Sequence, residues 1–183
     1  DRLIEEGKLT INGKIPEMGT KIKKGDQVEV EGKRIEKSTK TKNIYLAFNK
    51  PVGIVCTTDR KVESDNIIDF IRYPKRIFPV GRLDKLSEGL IFLTNDGDIV
   101  NKILRSKNNH EKEYIVSVNR QIDRDFIHRM SNGVEILDTL TKNCFVKQLG
   151  QKKFKIVLTQ GLNRQIRRMC ESLGYRVRSL KRV

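Results

Sequence analysis

An α+β fold is what this 183-residue sequence predicts: a mixed, mainly antiparallel sheet with flanking helices, preceded by a small β-rich unit. Three observations carry that expectation. Short apolar–polar alternations recur along the chain, helical spacing is confined to a few windows, and a polar basic stretch divides the first 36 residues from the rest.

Residues 1–36 open with the end of a helix and then alternate at Leu9, Ile11, Ile22, Val28 and Val30, between turn signals at Asn12-Gly13 and Gly25-Asp26. KSTKTKN at 37–43 has no apolar anchor and reads as a solvated linker. From residue 44, IYLAFNKP, GIVCTT and RIFPVGRL read as strands or extended segments, and IIDFI at 67–71 as a short helix. GLIFLTN at 89–95 is a buried strand ending at Asp96-Gly97. Ile99, Val100, Ile103 and Leu104 then fall at helical spacing, with Asp98 favouring the helix start. EKEYIVSV alternates as a half-buried strand. DRDFIHRMSNG is a helix with Asp123 as cap and Gly133 at its end, and CFVKQL with KFKIVLT reads as a hairpin.

Lys plus Arg is 38 against 23 for Asp plus Glu, a net charge of +15, which attracts polyanions. With 37% apolar residues the chain is too apolar for disorder. Its longest apolar runs fall far short of the roughly 18 residues needed to cross a bilayer, so no membrane insertion is expected. No charged start followed by an apolar segment and a small-residue cleavage site opens the given sequence, so export is not expected. Cys56, Cys144 and Cys170 are scattered, and with only two histidines no metal ligand set forms; reduced thiols in a cytoplasmic protein are expected. The chain starts at Asp1 and ends at Val183 after a basic run, as a fragment would.

That run is the most lopsided part of the sequence. Residues 160–183 carry seven Arg or Lys against Glu171 alone. NRQIRRMCESLGY puts Ile166, Met169, Cys170 and Leu173 on one helical stripe and Arg164, Arg167 and Arg168 opposite, with Asn163 as cap and Gly174 as terminator. A solvated basic face is the plain reading. Arginines at a helix N-terminus oppose the dipole, however, and their crowding there favours an anion site. With 6% aromatics and no Trp, a shaped phosphate-reading groove suits the composition better than a stacking platform.

In FPVGRLDKLSEGLIFLTNDG, Asp84 sits on a loop between Arg82 and Lys85, before a buried strand. Neighbouring cations favour the ionised carboxylate, which suits a nucleophile better than a general acid. A surface ion pair with Arg82 or Lys85 is the alternative. Pairing with Glu88 as a two-carboxylate glycosidase is discounted, because neither residue has an obviously apolar setting.

NKPVG, GRLDKLSEGLIFLTNDG, HEKEYIV and LTQGLNRQIRRMCESLGYRV, in that order along the chain, resemble the RsuA-type family of ribosomal RNA pseudouridine synthases over residues 44–183. Residues 2–36 are similar to the later part of the RNA-binding module named after ribosomal protein S-four. The module's first helix and the family's last strands are absent from the sequence given. The resemblance implies a catalytic domain at 44–183 with a truncated C-terminal end, acting without cofactor or metal. In it Asp84 is the nucleophile, Tyr114 stacks on the uracil, and Arg167 pairs with the aspartate. Arg82 reaches into the space left by the flipped nucleotide. Lys112, Asn163, Arg164, Gln165 and Ile166 are implied substrate contacts, and Lys50, Pro51, Gly53 and Gly81 structural support. From the residues alone Tyr114 could equally be core, since it alternates with Val116 and Val118.

The implied substrate is a uridine near the peptidyl-transferase region of 23S rRNA, position 2604 in ribosomal numbering, with transfer RNA a further possibility and a monomer as the expected state. The rival from another class is a non-catalytic rRNA-binding or assembly factor using the same basic groove. A nucleoside hydrolase using Asp84 and Glu88 is the weaker third.

Overall fold

The computed structural model describes residues 2–35, 42–58, 63–104 and 109–183. The chain divides into two compact units, Asp1–Lys42 and Asn43–Val183. Residues 36–41, most of the expected linker, lie outside the described residues.

In the first unit, α1 (Arg2–Glu5) leads into a three-stranded antiparallel sheet of β1 (Leu9–Ile11), β2 (Val28–Val30) and β3 (Lys33–Arg34). Asn12 (φ 53°) and Gly13 (φ 76°) form a two-residue turn after β1, as Asn-Gly favours. The Asn12 amide then donates to Asp26 Oδ1 (2.9 Å) and its oxygen accepts from Gln27 N (2.9 Å), fastening the long 14–27 connection. Ile22 lies on no strand and is exposed.

The second unit is built on a seven-stranded sheet. Its strands are β4 (Tyr45–Lys50), β5 (Phe78–Val80), β6 (Glu88–Thr94), β7 (Lys112–Val118), β10 (Phe145–Gly150), β11 (Lys153–Leu158) and β12 (Val177–Arg182). The order is β10-β11-β7-β12-β6-β4, with β5 also on β6. Only β12 against β6 is parallel; the other pairs in this sheet are antiparallel. The sheet is therefore mixed and mainly antiparallel, as the patterning predicts. GIVCTT stays outside it, with Val55 forming an isolated bridge to Asn66.

Two features escape the patterning. The basic run at the end of the chain forms β12, which sits between β7 and β6 near the middle of the sheet. A register shift between Val177 and Ser179 breaks the two-residue period, so the apolar anchors Val177 and Leu180 are spaced by three and do not read as a strand. β8 (Glu135–Ile136) and β9 (Thr139–Leu140) form a small hairpin whose turn residues, Leu137 and Asp138, adopt φ 50° and 54° without the usual Asn-Gly signal.

Three of the helices begin at side-chain caps. In α2 (Ile67–Ile71), Asn66 accepts from the backbone N–H of Ile68 and Asp69. α3 (Gly97–Leu104) is started by Asp96, whose Oδ1 accepts from Asp98 N and Ile99 N. Asp123 caps α4 (Arg124–Ser131) through Phe126 N (2.7 Å). For α5 (Gln165–Ser172) the expected cap fails: Arg164 (φ 50°) occupies the cap position without a side-chain bond, and Asn163 accepts from Arg168 instead.

Packing on the sheet produces two cores. The larger gathers Val116, Phe126, Met130, Phe154, Ile156, Ile166, Met169 and Leu180 among others. The smaller holds Cys56, Ile67, Ile77, Leu83, Ile91 and Leu93. Each fully buried aliphatic side chain stabilises the fold by about 1.5–3 kcal/mol. Tyr114 packs against both. No described helix is long and apolar enough to cross a membrane.

Candidate active site

Asp84 stands on a short loop between β5 and β6, exposed at its carboxylate and fixed at its backbone. On its N-terminal side Leu83 is buried in the smaller core, and its N–H donates to Cys56 Sγ (3.3 Å). On the other side Ser87 N donates to the Asp84 carbonyl (3.0 Å), closing a tight turn, and Gly53 N donates to Lys85 O (2.8 Å). Gly53 (φ 96°) and Gly81 (φ 77°) take left-handed backbone that other residues adopt at a cost. Ser87 is itself buried. A carboxylate on a loop tied this way keeps its position while staying open to a ligand.

Cations reach this loop from two directions. Lys50, at the end of β4, is fully buried and donates to the carbonyls of Pro51 (2.7 Å) and Ile54 (2.8 Å). Burial pulls its ammonium below the ordinary value, while Cys56, Asp84 and Glu88 pull it back up. From α5, Arg167 Nη2 donates to Leu86 O (2.7 Å) and Ser87 Oγ (3.4 Å). Burial also lowers the Arg167 guanidinium, with Asp84 the largest opposing influence. Its Nε is buried without a hydrogen-bond partner.

Arg167 therefore departs from two expectations. It is buried rather than on a solvated face, lying 100° round the helix from Ile166 at the edge of the apolar stripe, where the Asp84 loop covers it. It also grips that loop by its backbone: among the described residues no ion pair of 4.0 Å or less joins it to Asp84. The alternative pairing of Asp84 with Lys85 is not formed either, since Lys85 bonds Glu63 (3.0 Å).

Tyr114 comes from the third side, on β7. Burial raises its phenol above the ordinary value; Arg182, by charge and hydrogen bonding, lowers it, and Asp84 raises it further. Asp84 is thus within electrostatic reach of Lys50, Arg167 and Tyr114, which come from three elements.

The remaining candidates separate. Arg82, Asn163 and Arg164 are exposed and could meet a polyanion. Ile166 is buried in the larger core, as its place on the apolar stripe requires. Gln165, implied as a substrate contact, is buried with its amide engaged: Oε1 accepts from Leu162 N (3.0 Å) and Nε2 donates to Gln160 Oε1 (3.2 Å). Lys112 is similarly occupied, donating to His110 O (3.0 Å) and Thr159 O (3.3 Å). Sequence reasoning missed Cys56, Ser87 and Arg182. No group of three His, Cys, Asp or Glu among the described residues is placed to hold a metal.

A family model described as RNA pseudouridylate synthase matches residues 44–172, which contain Asp84, Tyr114 and Arg167. The chain belongs to this family. A curated relative, the "Dual-specificity RNA pseudouridine synthase RluF" of Escherichia coli strain K12, is 56% identical over all 183 residues, which span 63% of that protein. The "Ribosomal large subunit pseudouridine synthase B" of Bacillus subtilis is 33% identical over the whole chain and 77% of its own length. Among solved structures, one titled "Crystal structure of pseudouridylate synthase" superposes with a TM-score of 0.73 at 28% identity, covering 99% of this chain and 79% of that one.

Proposed function

We propose that this protein converts uridine to pseudouridine in RNA with Asp84 as the nucleophile. The observation that carries the reading is one exposed carboxylate on a rigidly tied loop, faced by Lys50, Arg167 and Tyr114. An RNA-binding or assembly factor would need the basic surface but not this arrangement.

The chemistry asks little beyond it. The Asp84 carboxylate attacks C1′ of the flipped-out nucleotide as the C1′–N1 bond breaks, the uracil turns, and C5 bonds to C1′ as the Asp84–C1′ bond breaks. The C5 proton leaves to solvent and N1 gains one, so the product is an isomer of the substrate. Fixed cations around the loop orient the carboxylate toward the substrate. Tyr114, held neutral by burial, offers a flat face for the uracil and a hydroxyl near the departing proton. Exposed Arg82, Asn163 and Arg164 meet the phosphates and the gap left by the extruded nucleotide.

The substrate we propose is large-subunit ribosomal RNA, at uridine 2604 near the peptidyl-transferase region. The +15 charge and the 56% identity to the Escherichia coli relative support that choice, and "dual-specificity" in its name makes transfer RNA the second substrate to test. Reverse-transcription mapping of carbodiimide-treated 23S rRNA, with and without the full-length protein, tests it. One new stop at that uridine is expected. Stops elsewhere, with none there, would reject the target, and free uracil in the product would point to hydrolysis.

A further inference from the structure

Tyr114 does not stand alone on its row of the sheet. Lys50 is paired with Gly89, Gly89 with Arg182, and Arg182 with Tyr114, so these four residues from β4, β6, β12 and β7 lie side by side. Directly paired residues project from the same face of a sheet, which places the Arg182 side chain beside the Tyr114 ring. Gly89 is what lets β12 come so close: with φ 108°, a Cβ there would run into the Arg182 backbone. The guanidinium is anchored by Nε donating to Leu90 O, and it acts on the Tyr114 phenol by charge and hydrogen bonding.

We propose that Arg182 is a positioning residue for Tyr114, holding the phenol by its oxygen so that the ring lies flat for the uracil beside Asp84. This rests on the reading of Asp84 and Tyr114 given above. A guanidinium donates and never accepts, so it occupies a lone pair of the phenol oxygen and leaves the phenol O–H to point elsewhere. Its anchorage at Leu90 belongs to the strand that follows the Asp84 loop, so one side chain couples the ring to the nucleophile's support. Two further charged groups, Asp84 and Lys112, bear on this pair. Arg182 and Asp84 act on Tyr114 with opposite signs, and Arg182 depresses the nearby Lys112.

The test uses full-length protein labelled with carbon-13 at the tyrosine Cζ, with the Tyr114 signal assigned by Tyr114→Phe. In Arg182→Met the phenol titration moves to higher pH. The single-turnover rate falls about tenfold or more, and RNA affinity stays within about twofold. An unmoved titration in folded Arg182→Met overturns the proposal, as does a loss confined to RNA affinity. Should that variant fail to fold, Arg182→Lys decides. Lysine cannot bond Leu90 and reach the phenol together, so a rate and titration both equal to wild type overturn it. Failure of the underlying reading looks different: Asp84→Asn keeps full activity while the Arg182 variants still shift the phenol.

Discussion

Lys14, Lys21, Lys23, Lys24, Lys33 and Arg34 of the first unit are all exposed, whereas in the second unit Lys50 and Arg167 are drawn inside against backbone carbonyls. The surroundings differ as sharply. None of the described residues of the first unit is buried, and polar ties such as Asn12 to Asp26 hold its long connection. The second unit has two apolar cores and places its interior cations at the loop where they adjoin the site. Exposed charge attracts a polyanion over distance and is screened by salt. Interior charge costs several kcal/mol to desolvate and persists only where fixed partners offset that cost, which marks a place where geometry matters.

The largest expected effect breaks the comparison from the inside. Arg167→Met should lower the single-turnover rate by about two orders of magnitude, while RNA affinity changes no more than a few-fold. Arg167→Lys should not restore it, because an ammonium cannot span Leu86 O and Ser87 Oγ as the guanidinium does. If Arg167→Met instead weakened RNA binding and spared the rate, the buried arginine would belong with the surface set.

Lys50→Met tests the cost of the buried cation, read on stability rather than on rate. It strands the carbonyls of Pro51 and Ile54, and a loss of about 1–3 kcal/mol should appear as a lower urea midpoint. No change would mean that those carbonyls find water.

From the outside, Lys23→Ala with Lys24→Ala should leave the rate at saturating RNA unchanged and weaken binding several-fold. The slope of log affinity against log salt should shrink by about 1.4–1.8 if both touch phosphates. An unaltered slope would remove the first unit from the RNA-binding surface.

The smallest effect concerns thiols of the second unit. Burial raises Cys144 to about 11 and Cys170 to about 12 from an ordinary 9.0. A raised acid contributes stability that is fully present below 9.0 and lost as pH climbs through 11 to 12, so urea stability should fall over that window. Iodoacetamide at pH 8 should label both only after unfolding. Rapid labelling of folded protein would contradict the burial of Cys170 and the partial burial of Cys144.

How much of this was legible in the sequence differs by element. Asp84 could be singled out because a carboxylate between two cations before a buried strand is unusual, and α2, α4 and the β10–β11 hairpin follow from spacing and caps. β12 could not, since its register shift removes the alternation and its charge imitates a surface tail. Arg167 was misplaced for a related reason: a helical wheel locates the edge of a stripe but not the loop that covers it. Arg182 and Ser87 carry no local signal, because their importance comes from pairing across strands distant in sequence. The roles of Asp84 and Tyr114 rest on family motifs, to which the geometry adds the neighbours.

Tritium release from carbon-five-labelled uridine in 23S rRNA by Asp84→Asn, measured beside RNA affinity in the same full-length preparation, tests the central claim most directly. Release should disappear while affinity stays within about twofold, because Asn keeps the shape of the exposed side chain and loses only the nucleophilic charge. Release at the wild-type rate would contradict the assignment of Asp84 as nucleophile.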